Sequence, residues 1–95
     1  MNLNSLVTVA EDQVSSDLGD EVAILGLKSG VYYGLDPVGA RIWTLLQAPT
    51  TVAQIKQTLL QEYEVEPERC QRDLLELLNQ LAAENLITVK DAAPA

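Results

Sequence analysis

The chain has 95 residues, 47% of them hydrophobic, and 14 acidic against 6 basic side chains give it a net charge of −8. That length suits one small domain with a single modest core, burying roughly 60–70% of the surface of the unfolded chain. The charge argues against binding to duplex nucleic acid, which depends on neutralising phosphates, and against anionic membrane surfaces.

Histidine is absent. No Ser-His or Cys-His pair can exist, and the commonest general base and metal ligand is missing. The single cysteine, Cys70, excludes an internal disulfide and fits a reducing compartment. The first residues, MNLNSLVTVAEDQ, lack a basic region and a long apolar run, so no signal peptide is expected. The longest apolar run, Val22–Leu27, is too short to span a bilayer, and a cytoplasmic protein is expected.

In chain order, Leu6–Ala10 is β-rich, Gln13–Leu18 alternates weakly, and Glu21–Leu27 carries the β-branched residues of a strand. Lys28-Ser29-Gly30 is a tight-turn signal, after which Val31–Leu35 returns as a partner strand. A three-stranded antiparallel meander is therefore expected within residues 6–35. Asp36 is a natural N-cap, with Pro37 at the first helical position. The first helix, about 37–47, places Val38, Ile42, Leu45 and Leu46 at helical spacing, with Trp43 beside them.

Thr51-x-x-Gln54 matches a capping box and opens a second helix, 52–62, which should bury Val52, Ile55, Leu59 and Leu60. A third helix, about 67–84, starts at Glu66-Pro67-Glu68. Its apolar residues Cys70, Leu74, Leu75, Leu77, Leu78, Leu81 and Ala82 cover an arc of about 160°, wider than an ordinary surface stripe. The surplus leaves Leu75 or Leu77 free to face the sheet or a partner. Asn85 is a candidate C-cap, Leu86–Val89 a short final strand, and Asp91–Ala95 a loose end. The order of strands then helices predicts one α+β domain over 1–95.

Tyr32 and Tyr33 are adjacent and must point to opposite faces of their strand. Natural sheet edges are blunted by lysine, proline or bulges. Val31-Tyr32-Tyr33-Gly34-Leu35 contains neither charge nor proline. Such an edge should pair with a peptide, with a second copy of the chain, or with the chain's own Leu86–Val89. On the third helix Asp73, Glu76 and Gln80 lie beside Leu77, either as a solvated face or as the rim of a groove. Cys70 reads as a buried inert thiol. No cofactor, metal cluster or phosphate loop is indicated, because the acids lack calcium-loop spacing and no glycine turn precedes Lys-Ser/Thr.

The stretch Ser29-Gly30, Tyr32-Tyr33-Gly34-Leu35-Asp36, Val38-Gly39-Ala40-Arg41-Ile42-Trp43 and Leu45-Leu46 resembles the PqqD-like family of RiPP recognition elements. Thr51-Val52-x-x-Ile55 and Tyr63-x-Val65 fit the same pattern. A stand-alone member of this size looks most like the separate recognition protein of lasso-peptide biosynthesis. The resemblance implies a winged helix-turn-helix-like fold, a three-stranded sheet followed by three helices. It implies a non-enzymatic protein that binds a leader peptide as an added antiparallel strand. Val31, Tyr32, Tyr33, Gly34 and Leu35 would pair with that strand, and Asp73, Leu74 and Leu77 would line the helical side. The partners implied are a precursor peptide and a separate cysteine leader peptidase. The alternative is a structural or regulatory module that dimerises through the same strand.

Overall fold

Alternation is clearest in β3 (Val22–Gly26), whose buried Val22, Ile24 and Gly26 face the helices while Ala23 and Leu25 face the other way. In the computed structural model, which describes residues 1–90, β3 is the centre of an antiparallel meander. It pairs on one side with β2 (Gln13–Asp17) and on the other with β4 (Tyr32–Leu35). The turn between β3 and β4 closes through the Gly26 amide to the Val31 carbonyl at 3.0 Å and the Gly30 amide to the Gly26 carbonyl at 2.8 Å. Gly30 has φ +69°, a conformation that favours glycine because it lacks Cβ. The Asp91–Ala95 end lies outside the described residues.

The expectation of a sheet over 6–35 needs one correction. β1 (Leu6–Val9) does not join the meander. It is the middle strand of a second antiparallel sheet, between the two-residue β5 (Thr50–Thr51) and the final β6 (Ile87–Lys90). The meander comprises only 13–35. Its strand order leaves β4 at one edge and β2 at the other. The reason is burial. Val7 is fully buried and pairs with Val89, while Val9 pairs with the buried Ile87, so β1 satisfies its apolar side against the C-terminal strand.

The helices begin where the local chemistry predicts. In α1 (Pro37–Leu45) the Asp36 carboxylate accepts from the Gly39 amide at 2.8 Å, and Pro37 occupies the first turn. α2 (Val52–Glu62) has the full capping box: Thr51 Oγ1 accepts from the Gln54 amide, and Gln54 Oε1 accepts from the Thr51 amide. α3 (Pro67–Ala83) ends in a Schellman motif. Leu86 N–H donates to the Leu81 carbonyl and Asn85 N–H to the Ala82 carbonyl, with Asn85 at φ +58°. Asn85 thus lies one residue beyond the cap residue, Glu84, in the left-handed conformation.

The core joins Ile24 and Leu35 of the meander, Ile42, Trp43 and Leu46 of α1, Val52, Ile55 and Leu59 of α2, and Leu74, Leu78 and Leu81 of α3. Of the apolar set expected in α1, Val38 is exposed and Leu45 only partly buried; the small Gly39 and Ala40 are buried instead. Gly39 lies against Leu35, where a Cβ would come within 3.2 Å of its side chain. The result is an α+β fold of antiparallel sheets and three helices, compatible with the winged-helix-like description.

Leu78 is fully buried on α3. Leu78→Ala should lower unfolding free energy by about 2–5 kcal/mol through lost transfer energy and the residual cavity. Urea denaturation monitored by circular dichroism checks this; a loss below about 1 kcal/mol would contradict the packing described.

Candidate functional site

Backbone geometry defines the open edge. In an antiparallel pair, opposite residues alternate between those that exchange hydrogen bonds and those that do not. The Gly26 amide bonds the Val31 carbonyl, so the bonded pairs continue at Ile24–Tyr33 and Val22–Leu35. The main-chain groups of Tyr32 and Gly34 therefore face away from β3, toward the open side. β6, the internal rival for this edge, is held by β1.

Side chains alternate in the same way. Tyr33 and Leu35 point toward the helices with their partners Ile24 and Val22. Tyr32 points to the opposite face and is 73% exposed. Leu35 is buried and Tyr33 half-buried. Tyr33 reaches across to α3, where its hydroxyl donates to Gln80 Oε1 at 2.6 Å. A strand and a helix 47 residues apart in sequence are joined by this bond.

Between β4 and α3 lies a cavity of about 680 Å³. One wall is Tyr33, Gly34 and Leu35, continued by Asp36, Val38 and Gly39 at the start of α1. The other wall is the face of α3 that carries Arg69, Asp73, Leu77 and Gln80. Cys70, Leu74, Ile42 and Leu59 lie beneath, all buried, and the α2–α3 linker Tyr63-Glu64-Val65 lines the cavity as well. From Pro67 to Gln80 the α3 wall is roughly 20 Å long, the length of a six-residue extended strand. The floor is apolar, while Arg69, Asp73 and Gln80 flank Leu77 on the α3 wall.

The structure thus brings together six of the eight residues singled out from sequence: Tyr33, Gly34, Leu35, Asp73, Leu74 and Leu77. Leu74 is only 2% exposed and can act only as floor. Val31 and Tyr32 are exposed and lie outside the cavity, on the turn and on the opposite face. Of the polar residues around Leu77, Asp73 and Gln80 line the cavity and Glu76 does not. Asp73 is not an unpaired acid, since Arg69 Nε lies 3.7 Å and Arg72 Nε 3.8 Å from its carboxylate. Sequence reading missed the contribution of α1 and the linker. Val38 and Tyr63 are exposed and line the cavity; helical spacing marks Val38 as apolar but cannot tell a groove wall from an interior.

Burial pushes the Cys70 thiol above its ordinary value, away from the reactive thiolate. Among the described residues no cluster of three or more His, Cys, Asp or Glu could hold a metal ion. No helix among them is long and apolar enough to cross a membrane. One ion pair stands apart for its geometry. Arg41 of α1 grips Glu62 at the end of α2 with two bonds, Nε to Oε1 at 2.8 Å and Nη2 to Oε2 at 2.7 Å. The hydrogen bonds to Arg41 hold the Glu62 carboxyl below its ordinary value and raise the guanidinium's. The pair therefore contributes above the ordinary glutamate range and is lost as pH falls through the lowered value.

Comparison with known proteins places the chain by family and fold. Residues 21–87 match the sequence profile of the family described as Coenzyme PQQ synthesis protein D (PqqD). The chain is similar to TbiB1, solved in complex with the TbiA(beta) leader peptide. That likeness has a TM-score of 0.80 and 36% identity, covering 92% of this chain and 99% of the other. Its fold is also that of lasso peptide synthetase B1 complexed with the leader peptide, at a TM-score of 0.77 and 24% identity over 86% and 96% of the two chains. No curated protein matches the chain.

The edge assignment has a direct consequence for hydrogen exchange. In the isolated protein the amides of Tyr32 and Gly34 should exchange quickly, while those of Tyr33 and Leu35 should be protected. Residue-resolved exchange by NMR reads this, and protection of Tyr32 and Gly34 in the monomer would contradict an open edge.

Proposed function

The chain belongs to the PqqD family as a PqqD-like RiPP recognition element, and from that premise we propose that it captures the leader of a ribosomally made precursor peptide by strand addition to β4. The observation that carries the reading is the open edge beside the groove: Tyr32 and Gly34 turn their main-chain groups outward, on a strand whose Tyr33, Gly34 and Leu35 line a cavity long enough for an extended peptide. Likeness to TbiB1 bound to a leader peptide supports it.

The leader would run antiparallel to β4, bonding the amides and carbonyls of Tyr32 and Gly34. Residues of the leader that pair opposite these two positions would point outward, toward the face of Tyr32. Those between them would point into the groove, against Tyr33, Leu77 and Val38. Main-chain bonds then supply affinity with little sequence preference, and the alternate side chains entering the groove supply specificity. Ordering a flexible leader costs several kcal/mol, so a few well-buried anchors must carry most of the net affinity.

No step in this role needs a catalytic group. The protein acts as an adaptor that holds the precursor for a separate processing enzyme, a cysteine leader peptidase, in the cytoplasm. Self-association through β4 is the competing use of the same edge. The chain's charge of −8 opposes it, because two copies would bring like charges together.

Two substitutions test the reading. A fluorescently labelled TbiA(beta) leader is titrated, with anisotropy as the readout. Tyr33→Asp and Leu77→Asp should each weaken binding at least about tenfold, since each puts a charge on an apolar wall. Thermal unfolding should show both variants folded, because neither side chain is fully buried. Equal affinity in wild type and both variants would overturn the groove assignment.

A further inference from the structure

We infer that the Arg41–Glu62 pair is a clamp that positions one end of the peptide groove, although neither side chain lines it. The inference rests on the strand-addition reading above. Three features of the fold carry it.

The first is where the pair sits. Glu62 is the last residue of α2, and the next three residues, Tyr63, Glu64 and Val65, line the cavity. Arg41 is on α1, directly continuous through its Asp36 cap with the edge strand β4. The clamp therefore ties the linker wall of the groove to the helix that extends the strand wall.

The second is how the linker is held among the described residues. Tyr63 has left the helix, with φ −128° and ψ +144°, and its amide still bonds the Leu59 carbonyl. The next backbone bond of this kind is Cys70 to Glu66, inside the first turn of α3. Val65 is half-buried against the core. The side-chain fork on Glu62 fixes the linker's starting point laterally.

The third is the geometry of the bond. Two parallel hydrogen bonds between a guanidinium and a carboxylate fix orientation as well as distance, which a lysine cannot do. About a third of each side chain is exposed, at 36% and 35%. Such a pair adds little to global stability. Its effect is on the placement of a wall.

The end it controls follows from chain direction. Gln80 meets Tyr33, and the linker lies at the opposite end of the α3 wall, roughly 20 Å away. A peptide antiparallel to β4 enters from the Leu35–Asp36 side, so its N-terminal part meets Tyr63 and Val65. The clamp is thus a positioning device for recognition of the N-terminal part of the bound leader.

The test uses Arg41→Met, Arg41→Lys, and the charge swap of Arg41→Glu with Glu62→Arg. The probe is the labelled TbiA(beta) leader, intact and trimmed stepwise from its N-terminus. Both single variants should bind the intact leader about three- to fivefold more weakly, with unfolding temperatures close to wild type. The swap should recover part of the loss. The difference from wild type should vanish once trimming removes the residues that reach the linker. The clamp is refuted by wild-type affinity in Arg41→Met. Full affinity in Arg41→Lys would refute it too, since charge alone would then suffice. So would a loss that persists unchanged for trimmed leaders, which marks a general structural effect. If the wild-type protein binds no leader at all, the strand-addition reading fails first and the clamp falls with it.

Discussion

The pairing of Leu6–Val9 with Ile87–Lys90 is the constraint on which the rest of the structure depends. It joins strands from the two ends of the described chain and buries Val7 and Ile87 in the common core. It also decides the fate of the edge strand. An uncharged strand such as Tyr32–Leu35 is a template for any other strand of suitable length. The final strand is the one best placed in composition to satisfy it internally. Because β1 takes that strand, β4 stays open. The Schellman turn at Asn85 assists by reversing the chain after α3 and delivering Leu86 and Ile87 into the core.

From this arrangement the groove follows almost without further design. α3 is broader in its apolar arc than core packing requires. Leu74, Leu78 and Leu81 are buried, while Leu77 and Leu75 remain partly accessible. Leu77 turns toward the edge strand, and the bond from Tyr33 to Gln80 holds the strand and helix at a fixed separation. Affinity can then come from backbone groups that any peptide possesses, with selectivity left to shape and apolar contact. A protein working in this way needs no nucleophile, no general base and no metal. The absence of histidine is no handicap to it.

The division of labour along Gly30–Leu46 is also physical. Gly30 makes the turn, Tyr32 and Gly34 offer main-chain groups, and Tyr33 and Leu35 face the helices. Asp36 caps α1, Gly39 lets that helix lie on Leu35, and Arg41 reaches to the end of α2. A strand running straight into a capped helix couples the edge rigidly to one groove wall. The other walls belong to α3 and to the linker before it, so three separate parts of the chain must be held in register.

Much of this was legible in the sequence, wherever short-range physics decides. The turn at Gly30, the Asp36 and Thr51 caps, the proline starts of α1 and α3 and the strand at 32–35 all depend on residues within a few positions of one another. The family resemblance was carried by the same local stretch. Which strands pair was not legible, because Leu6–Val9 satisfies a meander and a separate sheet equally well by composition. Nor was the exposure of Val38 or the placing of Tyr63 on a groove wall, since helical periodicity reports an apolar face without saying what covers it. The partner of Arg41 lies 21 residues away, beyond the reach of any local pattern. Sequence determined the elements and their caps; long-range pairing decided which edge stayed open and what stands opposite it.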